Sequence, residues 1–88
     1  MKLVFYEKPE DDPFYVVLGR VVAERRKALG LTQDQLAQEA DISRAEVQFI
    51  ENAKRRVKLD TIRRCCLALS GIWLAEVFME VQRRLLEG

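Results

Sequence analysis

The chain has 88 residues, 49% of them hydrophobic, and 15 Lys or Arg stand against 14 Asp or Glu for a net charge of +1. That length supports one domain with a modest core, and the apolar share excludes a disordered tail. No apolar run approaches the ~20 residues of a membrane span, and charges resume too soon after Lys2 for a leader peptide, so a cytoplasmic location is expected.

Lys2 to Tyr6 is a short β-prone run, and Glu7 to Pro13 is charged and holds both prolines. Residues 1–13 therefore read as an extended segment and linker ahead of a domain over residues 14–88. A lone strand leaves its hydrogen-bonding ladder unfilled. It pairs with a second chain, packs on the helices or stays mobile, and the sequence leaves all three open.

A first helix is expected from about Phe14 to Leu29. Phe14, Val17, Leu18, Val21, Val22 and Leu29 fall largely on one side at three- and four-residue steps. Gly30 follows where a helix end needs positive φ. Two helix starts then come eleven residues apart. Thr32 has Gln35 three residues on, and Ser43 has Glu46 three residues on, both in the capping-box pattern. They predict a second helix over about Gln33 to Ala40 and a third over about Arg44 to Asn52, with Asp41 in the turn. Two short helices on a tight turn form a helix-turn-helix unit, here about residues 32–52, whose second helix can enter a DNA major groove.

A fourth helix is expected from about Leu59 to Leu69, with Leu59, Ile62, Cys66 and Leu69 inward, and Ser70-Gly71 breaks it. A fifth covers about residues 73–86. Leu74, Val77, Phe78, Val81 and Leu85 form an apolar strip along it, widened by Met79 and Leu86. An exposed strip of this kind marks an interface, and an isologous homodimer through this helix, alone or together with residues 3–6, is expected. The alternative is that the strip completes the monomer core.

Chemistry is sparse. There is no histidine, and the two cysteines, Cys65 and Cys66, are adjacent, so no metal-ligand spacing exists and both read as small apolar residues. No nucleophile–base pair and no Gly-rich phosphate loop is present, so neither an enzyme nor a cofactor is expected. The charge is unevenly placed, at +4 over residues 20–64, −2 over residues 1–19 and −1 over residues 65–88. The positive part coincides with the helix-turn-helix unit, as a phosphate footprint requires.

Gly19, Val22, Arg26, Gly30-Leu31-Thr32-Gln33, Leu36-Ala37, Ile42-Ser43-Arg44, Val47, Ile50-Glu51-Asn52, Lys54-Arg55, Leu59, Thr61, Ala68-Leu69 and Phe78 together resemble the lambda-repressor-like domain of the Cro/cI-type (XRE) transcriptional regulators. The resemblance spans Gly19 to Phe78. It implies a compact all-α bundle of five helices that binds operator DNA as a dimer, here carrying the N-terminal extended segment and a lengthened C-terminal helix. It also implies a structural ion pair between Arg26 and Glu51, a phosphate clamp at Gln33, and a loop after the third helix that follows the DNA backbone. Ala53 departs from a frequent glycine, Val57 from a frequent proline and Lys58 from a frequent Ser cap, while Ser70 is an extra residue.

The expected DNA-binding residues follow. Ser43 caps the third helix beside a phosphate. Arg44 lies where a guanidinium reaches guanine O6 and N7, Ala45 offers a methyl to thymine, and Gln48 is placed for adenine. Phe49 presses on a thymine methyl or folds back onto the domain. Lys54, Arg55 and Arg56 form the basic run of the backbone-following loop. The expected function is a sequence-specific transcriptional regulator, a small repressor or controller-type protein, on a palindromic double-stranded DNA operator. The competing readings are a helix-turn-helix domain used for protein–protein contact, which Glu46 and Phe49 favour, and the antitoxin of a toxin–antitoxin pair.

Overall fold

Asp12 opens the first helix. Its carboxylate accepts the Phe14 N–H at 3.0 Å, and Pro13 follows at the first helical position, where a missing N–H is harmless. In the computed structural model, which describes residues 6–69, 71 and 74–88, the helices are α1 (Pro13–Ala28), α2 (Gln33–Ala40), α3 (Arg44–Glu51), α4 (Leu59–Ala68) and α5 (Leu74–Glu87). Each lies within one residue of the span expected from capping and periodicity. No strand occurs among the described residues. None of their helices is long and apolar enough to cross a membrane.

The caps are those the sequence shows. Thr32 Oγ1 accepts the Gln35 N–H at 3.1 Å while Gln35 Oε1 accepts the Thr32 N–H at 2.8 Å, a complete capping box. Ser43 Oγ accepts the Glu46 N–H at 3.1 Å, but the Glu46 carboxylate meets only the Ser43 hydroxyl, at 3.5 Å, so that box is half formed. Lys58 gives α4 no side-chain cap. Gly30 and Gly71 take φ of +72° and +69°, and Asp41 takes 56° in the turn between α2 and α3. Asp suffers less than most residues in this left-handed region.

The core joins Leu18, Val21 and Val22 of α1, Leu36, Ala37 and Ala40 of α2, Val47 and Ile50 of α3, Ile62, Cys65 and Cys66 of α4, Leu69, and Val77 and Val81 of α5. Helix α1 packs against α3 and α5, and α2 against α3 and α4. Burial raises the thiols of both cysteines, Cys65 to about 12, consistent with their apolar role.

Three expectations are corrected. Val77 and Val81, expected at a dimer interface, are 1% and 0% exposed within the monomer. The reason is the docking of α5 on α1, which turns these two positions of the strip inward and completes the core. Leu74 and Phe78 pack at the core edge, and the large apolar residues that remain open on α5 are Met79, Leu85 and Leu86. Second, Leu59 is 64% exposed, because its turn of α4 lies before the buried positions, which begin at Ile62. Third, the Glu7 to Pro13 linker is partly structured, with a short 3₁₀ turn at Pro9–Asp11 packed on α1. The β-prone run lies outside the described residues apart from Tyr6, as do Ser70 and Trp73.

Candidate nucleic-acid interface

The site begins with the way α3 is held. Gly19 of α1 faces its C-terminal end so closely that a Cβ there would lie 2.4 Å from the Ile50 carbonyl oxygen and 2.7 Å from that of Glu51. Beside this contact Arg26 Nε donates to Glu51 Oε2 at 2.7 Å and Nη2 donates to Oε1 at 3.0 Å. A third guanidinium nitrogen, Nη1, donates to the Leu31 carbonyl at 2.8 Å. The paired charge, led by the Glu51 hydrogen bond, raises the Arg26 pKa further. Gln33 Nε2 donates to Glu51 Oε1 at 3.0 Å. One carboxylate at the end of α3 thus collects α1, the start of α2 and, through Arg26, the connection between them. The pair implied by the resemblance is present, and Gln33 steadies an α3 side chain.

The other end of α3 is open. Ser43, Arg44, Ala45, Glu46 and Gln48 are exposed, while Val47 and Ile50 fill the core. The α3 side chains available to a ligand therefore come from its first turns, next to the helix's positive end. Arg44 Nε lies 3.6 Å from Asp34 Oδ1 of α2, with both side chains solvent-exposed. This contact guides the guanidinium along the outer side of the two-helix unit and is weak enough to yield.

Phe49 folds back. It is half-buried, and the Arg55 guanidinium sits 4.2 Å from its ring centroid, a cation–π stack. Phe49, Arg55 and Thr61 are among the residues lining a shallow cleft of about 290 Å³ beside α3. The stack covers one face of the ring, which also borders the cleft. The turn leading to Arg55 passes through Ala53, buried with φ of 53°, so the residue standing where glycine is frequent does carry backbone strain.

The basic run does not present three free cations. Lys54 Nζ lies 2.6 Å from Glu10 Oε2. Arg56 Nη2 donates to the carbonyls of Tyr6 at 2.6 Å and Glu7 at 3.2 Å, and its guanidinium lies 5.8 Å from the Tyr15 ring. Glu10, Tyr6 and Glu7 come from the N-terminal segment and Tyr15 from the start of α1, all more than forty residues away in sequence, and no local pattern announces them. Asp34 as partner of Arg44 was also missed, although its place at the start of α2, beside the expected clamp at Gln33, is the signal that could have found it. Arg63 and Arg64 bind Asp60, and Arg64 also reaches Asp41, so both belong to the bundle's own surface network.

A helix-turn-helix family model matches residues 22–70. Among solved structures, the restriction-modification controller protein C.AhdI from Aeromonas hydrophila is 33% identical, covering 72% of this chain and 94% of its own, with a TM-score of 0.68. The clp gene regulator ClgR from C. glutamicum is 25% identical over 78% of this chain and 87% of its own, with a TM-score of 0.71. The controller protein C.Esp1396I, at 19% identity, covers 85% of this chain and 96% of its own with a TM-score of 0.76, a likeness of fold. Comparison with curated protein sequences gives no match.

Proposed function

The chain belongs to the XRE family of helix-turn-helix regulators, and we propose that it binds a palindromic operator as a homodimer with α3 in the major groove. The observation that carries this reading is the division of α3 into a locked end and an open one. Glu51 is held by Arg26 and Gln33, while Arg44, Ala45 and Gln48 stand exposed at the other end. A rigid helix with an exposed guanidinium near its N-terminus suits bidentate reading of guanine, worth about 1–3 kcal/mol of discrimination. Gln48, one turn on, reads a second base. Ser43 and the first turn of α2 approach phosphate through backbone N–H groups. Arg55, stacked on Phe49, enters beside α3, and Lys54 and Arg56 meet the DNA backbone.

The likeness to C.AhdI supports a small controller-type protein or repressor. Exposed Met79 and Leu86 support dimerisation through the outer side of α5. Two-fold symmetry then matches a palindromic site with half-sites about one helical turn apart.

The test is a salt titration of binding to genomic fragments, with wild type beside Arg44→Ala. The proposal expects fragment-selective binding that weakens steeply with salt and loses selectivity in the variant. Binding that ignores salt and Arg44 would overturn it in favour of a protein-interaction role.

A further inference from the structure

Residues 6–12 carry four carboxylates, Glu7, Glu10, Asp11 and Asp12, against the single Lys8. They are not loosely tethered. Pro9 opens the 3₁₀ turn, the Asp12 N–H donates to the Pro9 carbonyl at 3.0 Å, and the Asp12 carboxylate caps α1, which begins at Pro13. Two prolines and a cap therefore set the register of the segment before it meets anything else. It meets the loop after α3. An acidic side chain lies on Lys54, and two backbone carbonyls lie on Arg56. The hydrogen bond between Glu10 and Lys54 lowers the pKa of the carboxyl and raises that of the amine, so both stay charged across the neutral range.

We propose that residues 6–12 are an internal phosphate mimic, occupying Lys54 and Arg56 in the free protein and displaced when duplex DNA binds. An anionic oxygen on Lys54 and carbonyl oxygens on the Arg56 guanidinium occupy the donors that the anionic oxygens of a phosphodiester backbone would otherwise take. Arg44, Ala45 and Gln48 stay open meanwhile. The segment therefore suppresses binding to DNA of any sequence and leaves base discrimination at α3 untouched. The contacts are exposed ones, which yield readily to a polyanion and so act as a competitor and not as a lock. The inference rests on reading Lys54 and Arg56 as phosphate contacts.

The experiment compares wild type, Glu10→Gln, Lys54→Gln and the double variant by fluorescence anisotropy on a random-sequence duplex and on a selected fragment, at several salt concentrations. Lys54→Gln is expected to bind both duplexes more weakly and to flatten the salt dependence by about one phosphate contact. Glu10→Gln is expected to bind both more tightly, by about two- to fivefold at low salt, the range an exposed ion pair allows. In the Lys54→Gln background the Glu10→Gln gain should vanish. Equal or weaker binding by Glu10→Gln, with Lys54→Gln weakened, overturns the mimic alone. A gain that persists without Lys54 also overturns it, because the effect is then general charge. Lys54→Gln indistinguishable from wild type overturns the phosphate reading of the loop, and the inference with it.

Discussion

Arg26 and Glu51 form a two-pronged ion pair across the bundle, Nε to Oε2 at 2.7 Å and Nη2 to Oε1 at 3.0 Å, with side chains only 11% and 6% exposed. Its consequence is directional. The pair anchors the C-terminal end of α3 to α1, so that the exposed N-terminal end projects from a fixed base. Removing one partner leaves a mostly buried charge uncompensated. Glu51→Gln should therefore lose about 3 kcal/mol of stability in urea unfolding at neutral pH. Arg26→Lys should fail to rescue, since an ammonium cannot hold both carboxylate oxygens and the Leu31 carbonyl in the guanidinium's planar fork.

Gly19→Ala sets two effects against each other. Alanine is favoured over glycine inside a helix by about 1 kcal/mol. Its methyl would meet backbone oxygens at 2.4 and 2.7 Å, which a side-chain rotation cannot relieve. The clash wins, because α1 and α3 must separate. The expected result is a net loss of about 2 kcal/mol in urea unfolding. Increased stability would show that the two helices are free to part.

The outer side of α5 and its inner side should separate folding from assembly. Val81→Glu places a charge in the core and should abolish the cooperative thermal transition. Leu86→Glu, at a side chain 79% exposed, should leave helicity and melting near wild type. The same variant should shift sedimentation from dimer toward monomer if the outer face is the interface. Unchanged sedimentation of a dimeric wild type and Leu86→Glu would place the interface elsewhere.

Glu80 provides a pH signature. Hydrogen bonds from Arg83 and then Arg84 hold its carboxyl at about 2, against an ordinary value of 4.5. A folded pKa below the unfolded one means that the contribution is fully present above about 4.5 and is lost as pH falls toward about 2. Glu80→Gln should melt below wild type at pH 7, and the gap should close as the pH is taken down through that window. A gap that persists at the acid end would assign the effect to packing and not to charge.

The helices were legible because their signals are local. Thr32 with Gln35, Ser43, Gly30 and Pro13 mark their ends within a turn of where they act. The apolar steps of α1 and α4 mark their buried sides, though Leu29 and Leu59 show that periodicity runs past the edge of the core. The Arg26–Glu51 pair was reachable only through family resemblance, since nothing in a separation of 25 residues couples the two charges. The strain at Ala53 was legible in the same way.

Capping boxes, turn residues and helical periodicity are properties of neighbouring residues, and they carried the all-α architecture, the helix-turn-helix unit and the exposed Arg44. Which side of α5 is covered was not a local property. The apolar residues of α5 occupy more than one side of the helix, and only the docking of α5 on α1 decides that Val77 and Val81 are buried while Met79 and Leu86 stay exposed. The state of the basic run was likewise a matter of packing. Lys54 and Arg56 look free in sequence, and the fold returns the acidic N-terminal segment to them from 44 and 50 residues away. Charges that attract across such a distance meet only after the chain between them has closed its core.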